Sequence, residues 1–126
     1  MSDQKSCACS VAPKLIFPCS GAADVGAIAD LAARKLAREG DGKMFCLAGI
    51  GGRVSGIMKT TESAEKILAI DGCPLNCVKN CLEHAGFAKF EHLNLADLGL
   101  VKGQSAVSEE NIQKVVDNGR VKLLCN

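Results

Sequence analysis

The chain has 126 residues, 48% of them hydrophobic, a formal net charge of +1 and eight cysteines. That length suffices for one domain with its own core, and the near-neutral charge gives no electrostatic footing for nucleic acid or an acidic membrane. Four Phe with neither Trp nor Tyr also leave few stacking platforms for bases.

The segment Met1 to Ser6 precedes no apolar stretch of signal-peptide type, and no run is long enough to span a bilayer. A reducing, cytoplasmic setting is therefore expected, in which eight cysteines point away from a disulfide framework and toward metal or thiol chemistry. Residues 1–12 read as a flexible tail carrying Cys7 and Cys9, either idle or an arm that hands a soft metal to a deeper site. Residues 13–126 read as a single α/β metal-binding domain.

In chain order, Lys14 to Ser20 predicts a strand that finishes at Pro18 and delivers Cys19. Val25, Ile28, Leu31, Ala32 and Leu36 recur at helical spacing across Ala22 to Glu39, with Gly40 as the stop. Asp24, near the start of this helix, fits its dipole and needs no other role. Lys43 to Ala48 predicts a second strand, carrying Cys46. It runs into the Gly-rich turn Gly49-Ile50-Gly51-Gly52-Arg53 and then a helix of about a dozen residues. With Arg53, that turn either holds an anion at the helix start or is plain turn chemistry; it has the spacing of neither a P-loop nor a dinucleotide fingerprint.

Ile67 to Ile70 predicts a third, buried strand, followed by Asp71-Gly72-Cys73-Pro74-Leu75-Asn76-Cys77. Pro74 suits a first helical position, which puts Cys73 at the N-cap and Cys77 and Cys81 on one helical face at four-residue steps. Partial positive charge at that helix end would favour the Cys73 thiolate. His84 lies two turns further on, where a surface role is the expectation. Phe87 to Leu100 predicts the fourth strand, with His92 facing solvent. A helix capped by Ser108 should reach Gly119, and Val121 to Cys125 would add a last edge strand.

Cys19, Cys46 and Cys73 fall at equal intervals of 27 residues, each near the end of a predicted strand. The strand–helix alternation implies one three-layer α/β domain with a mostly parallel sheet of four or five strands, Rossmann-like or flavodoxin-like. Strands one to three are then contiguous, about 4.8 Å apart, and their carboxyl ends bring the three cysteines to one rim. Cys77 supplies a fourth thiolate. Four such ligands at about 2.3 Å suit a closed tetrahedral zinc site, another soft metal or an Fe–S cluster.

The stretches Phe17-Pro18-Cys19-Ser20-Gly21, Cys46-Leu47-Ala48-Gly49-Ile50-Gly51-Gly52 and Asp71-Gly72-Cys73-Pro74-Leu75-Asn76-Cys77 resemble the DGC-domain family, small prokaryotic proteins for which zinc binding is proposed. The resemblance covers nearly the whole chain after the tail. It implies zinc binding by Cys19, Cys46, Cys73 and Cys77 and brings no established reaction. Cys7, Cys9, Cys81 and Cys125 fall outside that pattern. Two readings follow: a thiolate metal site with a structural, sensory or carrier role, including exchange with a metal- or sulfur-transfer partner; or a thiol-dependent redox or sulfur-transfer enzyme with Cys73 as nucleophile and Arg53 holding an oxyanion.

Overall fold

The computed structural model describes residues 12–124. Four strands form one all-parallel sheet in the order β2-β1-β3-β4: β1 is Lys14–Pro18, β2 Lys43–Met44, β3 Lys66–Asp71 and β4 Glu91–Asn94. The chain steps from β1 outward to β2, then back across β1 to β3, so the order changes direction between β1 and β3. This is the flavodoxin-like order of the first four strands, not the 3-2-1-4 arrangement. In such sheets the crevice at the carboxyl ends of the two central strands is where ligands sit.

Alternation along the strands sorts the core into two layers. Ile16, Leu68, Ile70 and Leu93 meet one face, packed by α1 (Asp24–Arg38) and the last helix, α5 (Glu109–Leu123). Leu15, Phe17, Ile67 and Ala69 meet the other, covered by three short helices: α2 (Leu47–Gly51), α3 (Ser55–Glu62) and α4 (Cys77–His84). Leu15, Ile16, Phe17, Leu68 and Ile70 lose all contact with solvent. Each such side chain contributes about 1.5–3 kcal/mol by burial, so the two central strands anchor the domain.

Several expected boundaries move, each for a local reason. The second strand is two residues long, because after Phe45 donates its N–H to the Ile16 carbonyl its ring turns inward, edge-on to Phe17 at 5.9 Å. The Gly-rich stretch is the short helix α2, and the helix after it is only eight residues. Gly49 is required there, since a Cβ would stand 2.7 Å from the Ile57 side chain. The fourth strand gives way at Asn94, whose Oδ1 accepts the Ala96 N–H and starts a 3₁₀ turn over Leu95–Leu98.

The expected edge strand over Val121 to Cys125 is instead the end of α5, so the sheet has four strands; Cys125 itself lies outside the described residues. Gly119, read from sequence as a stop, is a point of close packing between α5, α1 and β3. A Cβ there would meet Leu36 Cδ1 at 3.0 Å and Leu68 Cδ2 at 3.3 Å. The helix therefore continues and buries Leu123 on the same stripe as Ile112, Val115 and Val116. Its last carbonyls are met by lysines from the strand starts: Lys14 Nζ donates to Leu123 O at 2.6 Å and Lys66 Nζ to Leu124 O at 2.8 Å. Cations at a helix C-terminus are favourable against its dipole.

Candidate thiol site at the carboxyl edge of the sheet

The turn between β3 and α4 is built around Asp71. Its carboxylate is almost fully buried, 1% exposed. Oδ1 accepts the Val78 N–H at 2.7 Å, Oδ2 accepts the Lys79 N–H at 3.2 Å, and His92 Nε2 stands 2.8 Å from Oδ2. The strand's last residue thus caps a helix that begins six residues later, and its negative charge sits at the positive helix end. The residue at the N-cap, Asn76, makes no side-chain cap of its own and lies in the left-handed region at φ 56°.

This corrects the sequence expectation. Cys73 and Pro74 lie in the turn before α4, and Cys77, not Pro74, is its first residue. Gly72 explains the step between Asp71 and Cys73: a Cβ there would come 2.8 Å from the carbonyl carbon and oxygen of Val25. Only glycine lets β3 leave the sheet against the first turn of α1. Asn94, at the end of β4, then fixes the turn from the far side, its Nδ2 donating to Cys73 O at 2.9 Å and to Asn76 Oδ1 at 2.8 Å. His92, expected in solvent, is only 25% exposed because it belongs to Asp71. No local signal marks these partners, because Asn76 reads in sequence as an ordinary N-cap residue.

Around this turn the thiols gather. The Cys77 thiol is pushed up from its ordinary range by partial loss of water, then by the Asp71 carboxylate, then by Cys19, Cys73 and Cys81. The helix end therefore does not favour a Cys77 thiolate, because Asp71 is already there. Cys19 follows β1, which neighbours β3, and its N–H is bonded to Ile70 O at 3.0 Å. Three expected site residues, Cys19, Cys73 and Cys77, are thus electrostatic neighbours across the switch between β1 and β3, and Cys81 joins them one turn along α4. Cys46, exposed at the start of α2, lies on a different side of Cys19. It shares with Cys19 and Cys81 an open cleft of about 960 Å³.

Arg53 ties two helix ends together in this arrangement. Its guanidinium donates to Ile50 O at 2.7 Å and His84 O at 3.2 Å, joining the ends of α2 and α4. A cation on two helix C-termini is the opposite of an anion cradle. His84 is the last residue of α4 and is exposed. Cys7 and Cys9 lie outside the described residues.

The donor chemistry suits a soft metal, since thiolates select Zn²⁺, Cu⁺ and Fe–S clusters. The placement is looser: among the described residues no three His, Cys, Asp or Glu side chains already stand so as to hold a metal ion. No helix among them is long and apolar enough to cross a membrane.

Comparison with known proteins adds the lineage. The DGC domain model matches residues 15–118. The anaerobic and virulence modulator AnvM of Pseudomonas aeruginosa is 41% identical over 88 residues, 70% of this chain and 67% of the relative. No solved structure matches with significance. With the family model spanning the domain from β1 into α5, and Asp71-Gly72-Cys73 forming the joint between β3 and α4, this chain is a member of the DGC domain family.

Proposed function

We propose that this protein is a thiol-based sensor that takes up zinc or a related soft metal at the carboxyl edge of its sheet, with Cys19, Cys46, Cys73 and Cys77 as ligands. The observation that supports the reading is topological: Cys19 and Cys73 follow the adjacent parallel strands β1 and β3, Cys77 opens α4, and both of the first two act on the Cys77 thiol. Cys46 lines the same cleft as Cys19. Closure around an ion needs rotation about the Cys χ1 bonds, which is open to side chains that are half-buried or exposed. Binding would replace four protons, so uptake weakens as pH falls. An Fe–S cluster would use the same ligands.

A sensory role is favoured over catalysis by metal. Four protein thiolates leave no open coordination position for water. The relative's name describes a modulator, which supports regulation and not turnover. The alternative, a thiol enzyme using Cys73, relied on a helix N-terminus that Asp71 occupies.

The test is metal content of the full-length protein, purified anaerobically, with thiol counting and Co²⁺ substitution. Stoichiometric metal, a thiolate-to-Co²⁺ charge-transfer band and its loss in Cys73→Ser and Cys77→Ser are expected. Metal-free protein that takes up no Co²⁺, with all four thiols freely reactive, would overturn the reading.

A further inference from the structure

The cleft beside the thiol cluster has a second kind of wall. It is lined by Ser20, Asp30 and Arg34, by Lys43 from the start of β2, and by Gly51, Ile57 and Cys81 from the short-helix layer. Met44, Phe45 and Leu47 give it an apolar floor. Its volume is in the range of small-molecule sites, and it opens at the carboxyl edge of the sheet.

The polar wall is organised by Asp30. It accepts the Ser20 hydroxyl at 2.7 Å through Oδ1 and Arg34 Nε at 2.7 Å through Oδ2. The first bond steadies Ser20 in the left-handed region, φ 52°, immediately after Cys19. The second aims the guanidinium and uses only its Nε. Both terminal amino groups of Arg34 are then left for a ligand, 59% of the side chain being exposed, and Lys43, in register with Leu15 on the other face of the sheet, lines the cleft from β2. Two cations and a half-buried thiol lining one cleft suit a ligand with an anionic group at one point and a sulfur at another.

We propose that this cleft binds a carboxylate-bearing low-molecular-weight disulfide, held by Arg34 and Lys43, and passes one half of it to Cys81. Cys19 and Cys46 also line the cleft, and the choice of Cys81 rests in part on the preceding assignment of those two to metal. The step is a thiol–disulfide exchange. Cys81 gives its proton to water, and the thiolate attacks one sulfur of the bound disulfide. The ligand's S–S bond breaks as the Cys81–S–S–R bond forms, and the released R–S⁻ takes up a proton. Cys81 is oxidised, and the leaving half of the ligand is reduced to a thiol. The product places a bulky charged group one helical turn from Cys77, so the modification reports to the site at the head of α4.

The experiment treats the full-length protein, as purified, with glutathione disulfide or with uncharged bis(2-hydroxyethyl) disulfide. Adduct formation is followed by intact mass, located by peptide mapping, and metal content is measured in the same samples. The adduct is expected on Cys81, forming about tenfold faster with glutathione disulfide. The Arg34→Gln/Lys43→Gln double variant should react with both reagents at the same slow rate, with its circular dichroism unchanged. Cys81→Ser should remove the adduct and leave metal content intact. Equal rates for the two reagents in the native chain, an adduct confined to another cysteine, or a double variant that keeps the preference would overturn the proposal. Metal-free protein that still modifies Cys81 with the charge preference sinks the metal assignment and keeps this one.

Discussion

The two helical layers on either side of the sheet are built by different means. On one face, α1 and α5 are 15 residues each, with continuous apolar stripes and buried small residues, Ala29, Ala32, Ala33 and Gly119, where they approach the sheet. On the other, α2, α3 and α4 are five, eight and eight residues long. Helices that short are not stable by propensity alone. They are held by named polar contacts: Asp71 at the start of α4, and Arg53 joining the ends of α2 and α4. Three of the five described cysteines, Cys46, Cys77 and Cys81, ride on this pieced layer. Regular packing gives one face rigidity, while side-chain ties on the other hold thiols at positions no continuous helix would supply.

If that contrast is right, breaking one tie should cost the short-helix layer more than an added methyl costs at a helix surface. The largest effect is expected at Asp71. Asp71→Ala leaves the buried Val78 N–H, the Lys79 N–H and the partly buried His92 without their acceptor. Removing one member of such a buried set costs about 3 kcal/mol, read as a lower urea midpoint, and hydrogen exchange should rise in α4 before α1. Equal exchange in both helices would show that the layers are not held differently.

Glycine substitutions sharpen the same point with less perturbation. Gly72→Ala drives a Cβ to within 2.8 Å of backbone atoms of Val25, and backbone cannot turn aside as a side chain can. About 1–3 kcal/mol of destabilisation is expected. Gly56, exposed near the start of α3, has nothing within 4 Å of where a methyl would stand, so Gly56→Ala should stabilise by about 0.5 kcal/mol. The opposite signs, measured by thermal melting, separate glycines that admit a neighbour from those that only loosen the chain.

The same division governs what could be seen in the sequence. The apolar periodicity of α1 and the continuous runs of β1 and β3 are legible because burial alone decides them. Gly119 misled because a glycine that stops a helix and one that lets it pack closely look alike without the neighbours, here Leu36 of α1 and Leu68 of β3. At the thiol site, the placement of Cys19 and Cys73 after neighbouring strand ends followed from parallel β1 and β3 being adjacent. The role of Asp71 did not, since its partners Val78, Lys79 and His92 are seven, eight and 21 residues away. Local reading sees a cap next to the helix it serves. It does not see one delivered from the end of a strand.

The smallest expected effect lies on the long-helix side and concerns pH. Asp24, in the first turn of α1, is held below the usual carboxylate range, chiefly by the Gly103 N–H at 2.9 Å, with Ser105 and Val25 N–H groups assisting against partial desolvation. A carboxyl lowered on folding stabilises the native state above its unfolded pKa, and that contribution fades as pH drops through the folded value. Stability of the native chain should therefore decline on the acid side of the ordinary carboxylate range, and Asp24→Asn should flatten that limb by lowering the neutral plateau slightly, toward the level the native chain reaches in acid. The change should appear in exchange of the Gly103 and Ser105 amides and leave the amides of Val78 and Lys79, which bond to Asp71, unmoved. An acid response shared by both sets of amides would mean that one tie runs through the whole domain and that the two layers do not open separately.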